Sequence, residues 1–469
     1  MPIPDDTLAV DDGRPHRTIH LITSDAFEDW AAELSPRARS TVEAVQFTGK
    51  AGSHAILPGQ DAGDWRVVVG VLAAKDKDAG ADIWRLAGLP GRLPPGAYRI
   101  ESGAMPADAI GWTLGQYRFD RYLNDDPAAA RTLLVEDEAM VKDVMAQVRA
   151  QALVRDLVNT PAEDMGPADL ETAVRDIAAT SDGIVTTVTG EALLSENFPA
   201  IHTVGRAAAK GREPRLIRMD WGDKAAPKLT IVGKGVCFDS GGLDIKGAAG
   251  MRLMKKDMGG AAHAIALASL VMSARLPVRL TLLVAAVENS VAGNAMRPGD
   301  VMATRKGLSV EIHNTDAEGR LILCDALSLA CEEEPDLLLD FATLTGAARV
   351  ALGPDLPALM ANDEGLAADY VAAGRMVGDP VWELPLWPGY MEMLKSDIAD
   401  MSNAASGGFA GAITAGLYLS RFVDADVPWA HLDTFAWSPG NRAGRPRGGE
   451  ALGLRAAFAM IRSRFEVNG

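Results

Sequence analysis

Asn314-Thr315-Asp316-Ala317-Glu318-Gly319-Arg320 is the stretch on which the reading of this chain turns. A β-prone segment, Leu308-Ser309-Val310-Glu311-Ile312, leads into it, and a helical pattern from Leu321 to Ala330 follows. The heptad therefore falls at a strand-to-helix turn, where open α/β sheets place their ligands. On its own the acidic pair has a second reading, a solvated loop or a helix N-cap, because acidic residues are common at helix starts.

The upstream sequence shifts that balance. Leu229-Thr230-Ile231-Val232-Gly233 reads as a short buried strand. It runs into Lys234-Gly235-Val236-Cys237-Phe238-Asp239-Ser240-Gly241-Gly242, then Asp244-Ile245-Lys246, then Lys255-Lys256-Asp257-Met258. Lys234, Asp239 and Asp257, taken with Asp316 and Glu318, supply four carboxylates and an amine, and Lys246 and Arg320 add two cations. Carboxylates gathered without a counter-charge repel one another and raise some pKa values. A pair of divalent cations resolves the repulsion; carboxylate ligands suit Mg or Mn, and zinc also accepts them.

At these residues the chain resembles the leucine aminopeptidases, also called cytosol aminopeptidases. Their signatures are a Val-Gly-Lys-Gly…Phe-Asp-Ser-Gly-Gly…Lys…Asp-Met block and an Asn-Thr-Asp-Ala-Glu-Gly-Arg block, which stand here at Val232–Met258 and Asn314–Arg320. The likeness is close over the later part of the chain and holds only in outline over the first. It implies two metal ions, Mn or Zn with Mg as a further option. Residues matching Asp239 and Glu318 bridge both ions, those matching Lys234 and Asp257 serve one, and Asp316 serves the other or both. A lysine ligates only when neutral, so an adjacent cation is expected to depress the Lys234 pKa.

Chemically, two metals can lower the pKa of a shared water and polarise a peptide carbonyl. The resemblance gives Lys246 the tetrahedral oxyanion to stabilise. It gives Arg320 a bicarbonate ion acting as general base; an ion pair with a site carboxylate is the plainer alternative. A metal left partly open binds a free α-amine, which implies an exopeptidase acting on peptide N-termini. Met254, Thr343, Leu344 and Gly346 match positions that line the first-residue pocket or hold substrate backbone. An apolar pocket with methionine favours leucine and other apolar residues and separates them weakly. The seven histidines include no zincin spacing, and His263 and His313 read as capping or packing residues.

At 469 residues the chain is long for one core. The expected fold is α/β throughout: residues 1–135 an N-terminal α/β domain (macro-like by the resemblance), 136–160 a linker helix ending at Asn159-Thr160-Pro161, and 161–469 a catalytic aminopeptidase domain with a mixed central sheet covered by helices. Helices are expected at Asp82–Leu86, Ala107–Tyr122 and Glu450–Arg464, and strands at Val67–Leu72, Arg215–Trp221, Leu229–Gly233, Val278–Val287, Leu337–Thr343, Ala358–Ala361 and Ala430–Thr434. A formal charge of −17 argues against a general affinity for nucleic acid or an anionic membrane. The three cysteines have no zinc-type spacing, and their odd number fits a reducing compartment. The start, Met1-Pro2-Ile3-Pro4-Asp5-Asp6, lacks the pattern of a signal peptide, and no run reaches the length of a membrane span, so a cytoplasmic location is expected.

The resemblance implies a homohexamer. Two other readings stay open: a two-metal phosphoesterase, for which the site offers only Lys246 and Arg320 as cations, and a DNA-bound or scaffolding role. Departures from the family are Gly247, where many members carry proline after the lysine, and Phe409 in the glycine-rich stretch Ala405–Gly411. The segment Trp437–Gly449, with Arg442, Arg445 and Arg447, reads as a flexible loop, an oligomer contact or a pocket edge.

Overall fold

The computed structural model describes residues 3–61, 63–73, 82–124 and 129–466. Met1 and Pro2 of the acidic start lie outside them. The chain forms two compact units, Met1–Ala152 with Gly440–Pro446, and Leu153–Pro439 with Arg447–Gly469. The division falls inside the helix Glu138–Asn159. The arginine-bearing segment thus has a place of its own: Gly440–Pro446 groups with the first unit, where Arg445 lies 5.5 Å from the centre of the Trp84 ring.

The first unit is built on a six-stranded sheet in the order Leu8–Val10, Arg131–Val135, Gly96–Ile100, Arg17–Thr23, Trp65–Val71, His54–Pro58. All its neighbours are parallel except the last pair. Valine-rich Trp65–Val71 is buried from Val67 onward, as a strand covered on both faces requires. Two helical expectations fail in this unit. Asp82–Leu86 is a run of turns, and the helix at Pro106 stops at Leu114, where Gly115 and then turns follow. Local pattern overran there because glycine is a poor helix continuer.

The second unit carries a mixed eight-stranded sheet, in the order Trp382–Glu383, Ala358–Ala361, Trp429–Asp433, Leu337–Ala342, Lys228–Asp239, Arg279–Asn289, Arg215–Trp221, Ile184–Thr189. Lys228–Asp239 lies between two parallel neighbours at the centre. It runs six residues beyond the expected end at Gly233, staying paired with Arg279–Asn289 through a bulge at Val287/Glu288. Lys234 therefore sits within a strand rather than past its end, and Asp239 is its last residue. The helix Gly259–Ser273 is apolar on nearly every side and packs on this sheet, the mark of a helix buried in a large core. The final helix begins at Leu454 rather than Glu450, whose side chain is held by Arg155. No helix among the described residues is long and apolar enough to cross a membrane.

Candidate active site

The heptad follows a strand of a separate three-stranded sheet, Val301–Ala303, Ser309–Glu311 and Met401–Ser402, not one of the central sheet. Its helix begins at Glu318, three residues before the pattern that starts at Leu321. Glu318, Gly319 and Arg320 thus form the first helical turn, where the helix dipole favours a carboxylate. Gly319 is required by contact: a Cβ there would lie 2.4 Å from Lys234 Cε and 2.6 Å from its Nζ. The glycine lets the helix start press against the central strand.

Lys234 is the hub. Its Nζ lies 2.9 Å from Asp257 Oδ2 and 3.0 Å from Glu318 Oε1, and it donates to the Thr343 carbonyl at 3.0 Å. Lys246 bridges the other side, with Nζ 2.7 Å from Asp239 Oδ2 and 2.5 Å from Asp316 Oδ1. Asp239, Asp316 and Glu318 each offer an oxygen within 4.8 Å of the others. The five expected ligands and Lys246 are therefore brought together, along with Met254, Thr343, Leu344 and Gly346, around one cavity of about 290 Å³. Arg320 is not on its wall. It is buried behind the site, where NH1 donates to the Asn403 carbonyl at 2.8 Å and, among the described residues, Nε has no partner.

The charges follow from burial and neighbours. Burial pushes Glu318 well above the ordinary carboxylate range, and Asp239 adds repulsion. Asp239 is pushed up to about 6, first by burial and then by Asp257, against the pull of Lys246 and Lys234. Burial would raise Asp257 as well, but Lys234 and Lys256 outweigh it and hold it low. For Lys234 burial favours the neutral amine, yet Asp257, Glu318 and Asp239 overcome it and raise the pKa. A neutral, ligating Lys234 thus needs a cation to take over those carboxylates.

The donor set fits such cations. Among the described residues, nothing hydrogen-bonds the buried Glu318 Oε2. Asp257 Oδ2 and Asp316 Oδ1 also lack hydrogen bonds of good geometry, although each lies within ion-pair distance of a lysine. Buried carboxylate oxygens are rarely left this way unless something else binds them.

Several residues that position the site went unread in the sequence. Asn289 donates to Asp239 Oδ1 at 2.9 Å and to the Thr315 carbonyl at 3.0 Å, tying the two motif blocks together. Asn403 Oδ1 takes the His313 and Asn314 amides at 2.8 and 3.2 Å. Asp433 accepts from Leu344 N at 2.9 Å and from Thr345 Oγ1 at 2.7 Å, fixing the wall that carries Leu344. Asn289 and Asp433 each end a strand, the one place with a sequence signal, whereas Asn403 lies in a loop. His263 behaves as a packing residue, whereas His313 is exposed and neither packs nor caps. His263 Nδ1 meets the Gly259 carbonyl at 2.7 Å, and its Nε2 accepts from Leu452 N at 3.0 Å, while His313 Nε2 pairs with Glu311 at 3.0 Å. Cys237 is fully buried, the small apolar filler its neighbours suggest.

Comparison with known proteins agrees with this geometry. The family model described as the cytosol aminopeptidase family, catalytic domain, matches residues 152–458. The chain belongs to the cytosol aminopeptidase family. It is a peptidase, and the model for the M17 aminopeptidase N-terminal domain matches residues 18–135. A probable cytosol aminopeptidase of Leifsonia xyli subsp. xyli is 36% identical over 473 residues, covering 96% of this chain and 93% of that protein. One from Roseiflexus castenholzii is 41% identical over 369 residues, 75% of each. The crystal structure of a cytosol aminopeptidase from Coxiella burnetii superposes with a TM-score of 0.92 at 44% identity, covering 98% of this chain and 100% of that one. The bottromycin maturation enzyme BotP in complex with Mn gives 0.86 at 31% identity, covering 98% and 99%.

Proposed function

We propose that this protein is a two-metal aminopeptidase that releases N-terminal residues from peptides, with leucine and other apolar residues preferred. The observation that carries the reading is the orphaned Glu318 Oε2 within a buried cluster of carboxylates. Lys234, Asp239, Asp257, Asp316 and Glu318 would hold two divalent ions, with Mn favoured by the likeness to the Mn complex of BotP and Zn or Mg as alternatives. Bound there, the ions supply Lewis acidity for the scissile carbonyl and lower the pKa of water.

The chain's own residues do the rest. Burial lowers and Asp239 and Asp316 raise the pKa of Lys246, and the carboxylates win, so the ammonium stays charged beside the reacting carbonyl. The backbone of Thr343–Gly346, held by Asp433, lines the cavity and offers its polar groups to the peptide main chain. Met254, Leu253 and Leu356 form the apolar wall for the first side chain. A bicarbonate held by Arg320 would require the arginine to turn toward the cavity, because its Nε, unpartnered among the described residues, lies behind the wall. We place the enzyme in the cytoplasm as a homohexamer that uses neither membrane nor nucleic acid.

Hydrolysis of leucine amide, with and without an N-acetyl block, tests the reading on metal-stripped protein after adding back Mn, Zn or Mg. Activity is expected to return with metal and vanish with the block. A folded protein inactive with every ion would overturn it.

A further inference from the structure

The cavity wall holds a charge that the apolar-pocket reading does not use. Lys256 is 6% exposed, lies on the same short helical segment as Met254, and lines the same cavity. Its Nζ stands 4.8 Å from the centre of the Phe435 ring. Among the described residues it donates no hydrogen bond and has no carboxylate at ion-pair distance.

The nearby acids are engaged elsewhere: Asp257 with Lys234 and Thr343, and Asp433 with Leu344 and Thr345. A second cation, Arg349, lines the same wall, with its guanidinium carbon 5.1 Å from the Phe435 ring. Two cations thus share one aromatic ring on the wall that also carries Met254, and among the described residues Asp257 and Asp433 act on Lys256 only from beyond ion-pair distance. Burying an ammonium without a partner is costly, which favours a ligand that brings the missing negative charge.

We propose that Lys256, assisted by Arg349, is a specificity-determining residue that recognises the side-chain carboxylate of an N-terminal glutamate or aspartate. The substrate range then includes acidic peptide N-termini besides apolar ones. Glutamine is the decisive comparison, since it has the shape of glutamate without the charge. The inference rests on the aminopeptidase reading above.

The test is kcat/KM for glutamyl, glutaminyl and leucyl amides on the metal-loaded enzyme. The expected result is that glutamate exceeds glutamine by about 10- to 100-fold, the range for a charge-assisted contact, and that Lys256→Met brings the ratio close to one. Lys256→Glu should reverse the pattern, so that lysyl amide overtakes glutamyl amide; Arg349→Met should lower the glutamate-to-glutamine ratio by a smaller factor. Equal or better hydrolysis of glutamine by the unaltered enzyme overturns the proposal even if both Lys256 variants fail to fold. So does a ratio that Lys256→Met leaves unchanged. Failure of the underlying reading looks different, because leucyl amide is then not cleaved either.

Discussion

Asp108 in the first unit and Glu318 in the second are both buried carboxylates, and they live opposite lives. Asp108 is fully covered and fully answered: Arg85 Nε and NH2 reach its two oxygens at 2.5 and 2.8 Å, and Met105 N donates to Oδ2 at 3.0 Å. Glu318 is as deeply buried, but Lys234 meets only Oε1, Oε2 has no partner, and Asp239 repels it. A satisfied buried charge fixes local structure, whereas an under-satisfied one is a cost kept for something outside the chain. Both units are α/β sheets with parallel strands, so the fold alone does not separate them.

The sharpest way to break this contrast is Glu318→Gln. It keeps the shape, removes a charge that the neighbouring carboxylates oppose, and takes away a proposed metal ligand. Leucine amide hydrolysis is expected to fall at least about 10³-fold, the scale of losing a group that acts on the transition state. The unfolding midpoint of the metal-free protein should stay level or rise. A large loss of stability with activity retained would mean that Glu318 is a structural charge like Asp108. Asp108→Ala should do the reverse: stability falls by about 3 kcal/mol, because Arg85 is left without its partner. Chemical denaturation followed by tryptophan fluorescence reads that loss. Activity per folded molecule should change little.

Much of the site was legible in the sequence because its members sit in two short blocks with glycines at the crossings. The blocks name the residues, and the buried strand between Leu229 and Gly233 locates them in the sheet. What stayed hidden has one cause, distance along the chain. Asn289 and Asn403 each bridge segments many residues apart, and a lone asparagine in a strand end or loop carries no periodic signal. The continuation of the central strand to Asp239 was hidden for a related reason. Gly233 and Gly235 read locally as breakers, and only pairing with Arg279–Asn289 keeps the backbone extended through them. Lys256 was passed over because a lysine beside a recognised aspartate looks like a solvated neighbour; its burial is a tertiary fact.

The smallest effect concerns Gly247, beside Lys246, at the edge of the under-satisfied region. Its φ of −63° and ψ of 149° suit proline, and a Cβ there would meet nothing within 4 Å. Among the described residues its N–H donates no hydrogen bond. The glycine is therefore not demanded by conformation or space, and its main consequence is freedom in the unfolded chain and in the loop. Gly247→Pro should stabilise the second unit by about 0.4–1 kcal/mol, the usual gain where proline matches the native backbone. Thermal unfolding measures that gain, and the kinetics of the same variant show what the freedom is for. If Lys246 must shift between its carboxylates and the reacting carbonyl, kcat should fall while KM holds. If the loop is only slack, kcat stays level and the stability gain stands alone.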